Sequence, residues 1–144
     1  MPNSPESSRS GQERWSFPRS HHLKRKRLIE PLFNRNDRSV HSVAAGSVRI
    51  VYRLVQDQEA DIPVSFQIGV AVGKSTGSAV MRNRIKRIIL ESIRLNQNVL
   101  HGFLDSQEEL FTAMVIFRGN GSDLSGTPRD VVRCLEDLKR EFNK

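Results

Sequence analysis

Lys74, Arg82, Arg84, Lys86, Arg87 and Arg94 share a short stretch with a single acid, Glu91. Guanidinium and ammonium groups at this density suit phosphate, because each neutralises one phosphate and displaces a condensed counterion. The spacing sharpens the reading. On a helix, Arg82 and Lys86 stand at i,i+4, as do Asn83 and Arg87, and neither pair can be a salt bridge. A solvated helix face normally mixes signs, whereas this one repels itself unless a polyanion neutralises it. A second basic run, Lys24-Arg25-Lys26-Arg27, lies nearer the N-terminus. Residues 19–38 hold seven cations against two acids, residues 74–94 hold six against one, and the chain's formal charge is +7. The excess therefore sits in two segments, which points to an anionic partner with a defined footprint.

Catalytic chemistry finds little support. The carboxylates concentrate in 105–109 and 123–141, away from both basic blocks. A self-contained nuclease needs acids clustered for Mg²⁺, or paired His and Lys. His21, His22, His41 and His101 lack metal-ligand spacing, and the His21–His22 pair, beside a polar tail, is expected to face solvent. Gly73-Lys74-Ser75 mimics the end of a phosphate-binding P-loop, but the glycine required five residues earlier is Ile68. The glycine-rich turn still sets Lys74 at a helix N-terminus, a place for one backbone phosphate. Cys134, the sole cysteine, excludes an internal disulfide and falls on an apolar stripe, so it reads as a core thiol.

The elements that position these residues are legible from periodicity. The chain has 144 residues, 37% of them hydrophobic, enough for one domain with a core. Residues 1–20 are rich in Ser, Pro and Arg and are expected to be a disordered tail on a domain spanning 21–144, with Trp15 and Phe17 the only groups able to dock. No secretory h-region or long apolar run is present, so the expected location is cytoplasmic, with no membrane partner. Leu23–Asn34 has helical spacing, although Pro31 argues against an unbroken helix. Strands are expected over 39–44, Ser47–Val55, Val64–Val72 and Thr112–Arg118, with a polar loop over 56–63. On Ser47–Val55 the alternation puts Val48, Ile50, Tyr52 and Leu54 on one face and Arg49, Val51 and Arg53 on the other. The 73–96 segment reads as a helix with Met81, Ile85, Ile88, Ile89, Ser92 and Leu95 inward and the cations outward. Thr127 and Pro128 open a last helix as N-cap and N1, with Val131, Cys134, Leu135, Leu138 and Phe142 as its apolar stripe.

Ala79-Val80-Met81-Arg82-Asn83-Arg84-Ile85-Lys86-Arg87, preceded by Gly69–Lys74 and Gly77, resembles the signature of the bacterial ribonuclease P protein component. The resemblance covers roughly residues 22–144. It departs at Ser75, where the family usually has Lys, and at Leu90, where it usually has Arg; residues 96–110 are longer than the usual connection, with room for added helix. The resemblance implies an α/β (α+β) two-layer sandwich in α-β-β-β-α-β-α order, a fold shared with a small-subunit ribosomal protein domain. The Arg-Asn-Arg helix would then form an unusual left-handed crossover between parallel strands. It also implies a partner, the catalytic RNA of ribonuclease P, and a substrate, precursor tRNA, whose 5′ leader the pair removes. The RNA and its bound Mg²⁺ would carry the chemistry.

On that resemblance, Lys74, Arg82, Arg84, Lys86, Arg87, Arg94 and the run Lys24–Arg27 are expected on RNA phosphates, with Asn83 bonding RNA or capping local structure. The leader would lie between the first helix and the sheet, with Phe33, Arg49, Tyr52, Arg53 and Arg118 as candidates; core burial of Phe33 and Tyr52 is the equal alternative. Two rival classes stay open: a free-standing RNA-binding or ribosome-associated protein, and a protein-only nuclease.

Overall fold

The computed structural model describes residues 18–56, 64–121 and 123–143. Residues 1–17 of the expected tail, with Trp15 and Phe17, and most of the 56–63 loop lie outside them. Strands β1 (His41–Ala45), β2 (Val48–Val55), β3 (Phe66–Val72) and β4 (Leu110–Phe117) form one sheet in the order β1-β2-β4-β3. The pairs β1–β2 and β2–β4 are antiparallel, whereas β3–β4 is parallel. The chain crosses between the parallel strands through α2 (Ala79–Leu95) and α3 (Gln97–Leu104), and it ends in α4 (Thr127–Phe142). The long 96–110 connection does add a helix, α3.

Alternation along the strands decides which side each residue serves. Val48, Ile50 and Tyr52 of β2, Phe66 and Ile68 of β3, and Phe111, Ala113 and Val115 of β4 meet the helices. There they pack on Ile85, Ile89 and Ile93 of α2, on Leu100 of α3 and on Val131, Cys134, Leu135 and Leu138 of α4. The other face carries a smaller cluster in which Val51, Val55, Leu110 and Met114 receive Leu23, Leu28 and Leu32 from the N-terminal segment.

That segment is not the helix its spacing suggested. Only Lys26–Ile29 is α-helical (α1), and Glu30–Phe33 continues as a 3₁₀ turn. Pro31 has no N–H to donate and its ring crowds the preceding turn, so the α ladder stops there. Leu23 is extended instead: its N–H bonds the Ile68 carbonyl at 3.1 Å, and His22 bridges Ile68 in parallel. The strap covers the outer edge of β3, which would otherwise present unpaired backbone groups. Gly69 permits the approach, since a Cβ there would lie 2.6 Å from Met114 Sδ and 3.3 Å from the Leu23 carbonyl. Residues 19 and 20, assigned to the tail from composition, belong to a 3₁₀ turn, Arg19–His21, and the Ser20 carbonyl accepts from Gln67 Nε2 at 2.9 Å.

Two further expectations need correction. Thr127 is the first residue of α4 and is buried, with no side-chain cap at Gly126. Its hydroxyl is 3.3 Å from Ser47 Oγ instead. On α2 the buried arc is Ile85, Ile89, Ser92 and Ile93, and Leu95 is 64% exposed. The core side thus extends to Ile93, which packs in the main core with residues of α4 and β3.

Candidate nucleic-acid interface

Ser78 caps α2 by accepting from the Met81 N–H at 3.2 Å, which fixes where the helix starts and so which way its cations point. With Ile85 and Ile89 fully buried, Asn83, Arg84 and Arg87 are exposed and Arg82 and Lys86 half-buried. None of the four cations Arg82, Arg84, Lys86 and Arg87 forms a salt bridge among the described residues. Arg94 differs. Its Nε and Nη2 donate to Glu91 at 3.1 and 2.5 Å, and its side chain is only 11% exposed. That bond holds the Arg94 guanidinium above its ordinary pKa. Arg94 and the lone acid of the helix thereby compensate each other and leave a four-cation face.

Lys74 is exposed in its own short turn, Lys74–Thr76, ahead of α2. It therefore stands before the helix rather than on its first turn. The register of β3 and β4 ends at Val72↔Phe117, so Gly73 leaves β3 level with Arg118, which is exposed just past β4. The other basic block also reaches this side. Lys24, Arg25, Lys26 and Arg27 are exposed, with Lys26 3.5 Å from Glu30. His22, just before them, lines one recess with Arg87, Leu90 and Arg94, so the two basic blocks adjoin.

A groove of about 600 Å³ opens on the sheet face opposite α2, between the N-terminal segment and β1–β2. Phe33, half exposed, and Arg35 stand on one wall. Val51 and Ile116 form an apolar floor, and Arg49 rises from it, donating to Ser42 Oγ at 3.3 Å. Two of the expected cleft residues, Phe33 and Arg49, are brought together here. Arg53 shares their face of β2 and lies near Asp37, but its Nε is buried with no partner among the described residues. Tyr52 is not in this groove. Alternation turns it to the helix side, where it is buried and stacks on Phe111 with 5.4 Å between centroids. Its core reading is the one that holds.

His21 also departs from expectation. It is buried, lies on the Phe66 ring at 4.1 Å and bonds the Phe66 carbonyl through Nδ1 at 2.9 Å. Strap docking, invisible to composition, draws it in. Cys134 matches its reading: it is buried, with Sγ 3.7 Å from the Val48 carbonyl, and burial pushes its thiol up to about 11.

The sequence reading missed Asn34, Arg35, Ser42 and His41 as groove residues. The turn chemistry of Asn34-Arg35-Asn36-Asp37 was the available signal. Asn34 Oδ1 accepts from the Asn36 N–H at 3.0 Å, and Asp37 Oδ1 accepts from the Ser39 N–H and hydroxyl at 2.9 and 2.5 Å. Those bonds hold the Asp37 carboxyl below its ordinary pKa and fold the loop so that Arg35 faces the groove.

A family model described as ribonuclease P matches residues 17–137. The ribonuclease P protein component of Brevibacillus brevis is 36% identical over 75 residues, 52% of each chain. That of Ectopseudomonas mendocina is 41% identical over 81 residues, 54% of this chain and 56% of its own. The chain thus spans about half the length of the curated relatives it matches. In structure, the RNase P protein of Staphylococcus aureus superposes with a TM-score of 0.59 at 22% identity, covering 83% of this chain and 95% of that one. That likeness shows the fold. Among the described residues no helix is long and apolar enough to cross a membrane.

Proposed function

This chain belongs to the ribonuclease P protein family, and from that premise we propose that it is the protein subunit of ribonuclease P, binding the catalytic RNA and the 5′ leader of precursor tRNA. The observation that carries the reading is the set of four cations on α2, Arg82, Arg84, Lys86 and Arg87, without acid partners among the described residues. A surface that repels itself in isolation is stabilised by a polyanion.

The two sites divide the work. The α2 face, with Lys74 and the Lys24–Arg27 run beside it, screens phosphates of the catalytic RNA. The groove takes the single-stranded leader, its unpaired bases stacking on Phe33 and its phosphates meeting Arg49 and Arg35. Arg118 and Lys74, both exposed just past the ends of the paired strands β4 and β3, add two cations at that end of the sheet. Holding the leader lowers the entropy cost of aligning the scissile phosphate with the RNA.

Mg²⁺ belongs with the RNA in this reading. Among the described residues no three His, Cys, Asp or Glu side chains are placed to hold a metal ion. The test is reconstitution of precursor-tRNA cleavage with protein alone, RNA alone and both together. The expected result is cleavage that needs the RNA and is improved by the protein. Cleavage by repurified, RNA-free protein would point to the protein-only nuclease, and protein without effect on the RNA to a free-standing RNA-binding role.

A further inference from the structure

The recess that His22 shares with Arg87, Leu90 and Arg94 has a volume of about 840 Å³. Arg94 and His22 both have partners, so what it offers an occupant is apolar surface. Ile88, Leu90 and Leu95 of α2 supply that surface, with Pro128 at the start of α4. Ile88 and Leu90 are half-buried, and Leu95 and Pro128 are exposed. Ile88 and Leu95, seven residues apart, follow one line of the helix. An exposed leucine in line with a half-buried isoleucine gains from being covered.

The chain itself supplies an occupant that fits. Residues 1–17 lead into Pro18, four residues before His22 at the border of the recess. Trp15 precedes His22 by seven residues, and seven extended residues reach up to about 25 Å. The helix from Ile88 to Leu95 is only about 10 Å long, so the whole recess is within reach. Trp15 and Phe17 stand two apart, and an extended chain turns both rings to one side. Glu6 and Glu13 balance Arg9 and Arg14, so Arg84 and Arg87, which also line the recess, do not repel the segment as they would a basic one. A tether this short sets the effective concentration in the millimolar range, which a separate partner would have to exceed. The ribonuclease P family match begins at residue 17 and so leaves Trp15 outside it. We propose that the recess holds the Trp15 indole of the chain's own N-terminal segment, packed on Leu90 and Leu95. The strap that covers the edge of β3 then continues across α2.

Trp15 is the only tryptophan in the chain, so its fluorescence reports the contact directly. No RNA is needed, which keeps the test apart from the function proposed above. Emission and acrylamide quenching are measured on the full chain and on a peptide of residues 1–20. The full chain should emit at shorter wavelength and be quenched less than the peptide, to the same degree on dilution. Leu95→Ser, at an exposed position, should lower the ratio of docked to free segment on the order of tenfold. Quenching should then move toward the peptide value, with far-UV CD unchanged. Val80→Ser, also at an exposed position of α2 but outside the recess, should behave as the wild type. Trp15 quenched as readily in the full chain as in the peptide overturns the inference, and so does shielding that Leu95→Ser leaves intact or Val80→Ser removes equally. Shielding that disappears on dilution overturns it too, because a second copy would then be the occupant.

Discussion

The His21 imidazole lies flat on the Phe66 ring, 4.1 Å between centroids, with Nδ1 2.9 Å from the Phe66 carbonyl. The carbonyl only accepts, so Nδ1 carries the proton in this contact. The His101 ring stands nearly perpendicular to it, 5.6 Å between centroids, and His101 Nδ1 is 2.9 Å from Asp105, which also accepts from Ser65 Oγ at 2.6 Å. This junction fastens the N-terminal strap to α3, and the strap leads directly into the groove wall.

Stability is therefore expected to depend on pH around His21. Burial lowers its pKa below the ordinary 6.5, with His101 and His22 adding to the effect and the Phe66 carbonyl and Asp105 opposing it. Because the folded-state value is depressed, the unfolded chain binds more protons as pH falls. The stabilisation is complete above pH 6.5, declines below it and is gone beneath the folded-state value. The loss attributable to Asp105, whose pKa its Ser65 bond lowers first and His101 next, begins only below 3.8. Thermal midpoints measured from about pH 7.5 to 5.5 should fall in the wild type and stay nearly flat in His21→Phe, which keeps the aromatic stack. Equal pH dependence in both proteins would show that His21 does not control the junction.

Ile89 is fully buried and Leu95 is 64% exposed, although both lie on α2. Ile89→Ala should cost about 2–5 kcal/mol in denaturant unfolding, and Leu95→Ala within about 0.5 kcal/mol. The reverse ranking would mean that α2 is rotated from the orientation that presents its cations.

Asp130 Oδ2 accepts from the Ser47 N–H at 2.9 Å and from the Ser47 hydroxyl at 2.8 Å, tying the β1–β2 turn to the first turn of α4. Asp130→Ala leaves those donors unpaired and should cost about 1–3 kcal/mol. Gly46, at φ +54°, turns the hairpin directly under that carboxylate, and a Cβ there would clash with it. Gly46→Ala should therefore destabilise through both the backbone conformation and the displaced bond. Chemical denaturation of the two single variants and the double variant checks this. The double should cost less than the sum of the singles, since they disrupt the same contact, and strict additivity would contradict it.

Strand alternation and the α2 cationic face were readable in the sequence because each is a local pattern enforced by burial on one side. Val48-to-Leu54 alternation by itself puts Tyr52 and Arg49 on opposite faces. What was not legible depends on long-range docking. Nothing near His21 in the chain announces the Phe66 ring 45 positions away that buries it. The N-terminal segment is less helical than its pattern, since Leu28, Ile29, Leu32 and Phe33 keep helical spacing even where Pro31 breaks the ladder. Arg94 counted as one more cation until its geometry showed it held by Glu91, although the i,i+3 spacing carried that signal.

The central claim is that the four cations of α2 without acid partners among the described residues engage RNA phosphates. It is tested most directly by the affinity of the protein for the ribonuclease P RNA as a function of salt. Those four groups should contribute about −3 to the slope of log K against log salt, at roughly 0.7–0.9 per phosphate. Arg82→Ala with Lys86→Ala should flatten the slope by about 1.5 and leave far-UV CD unchanged. A double variant that binds with the wild-type slope would contradict the account, because the face would then carry its charges without an RNA to meet them.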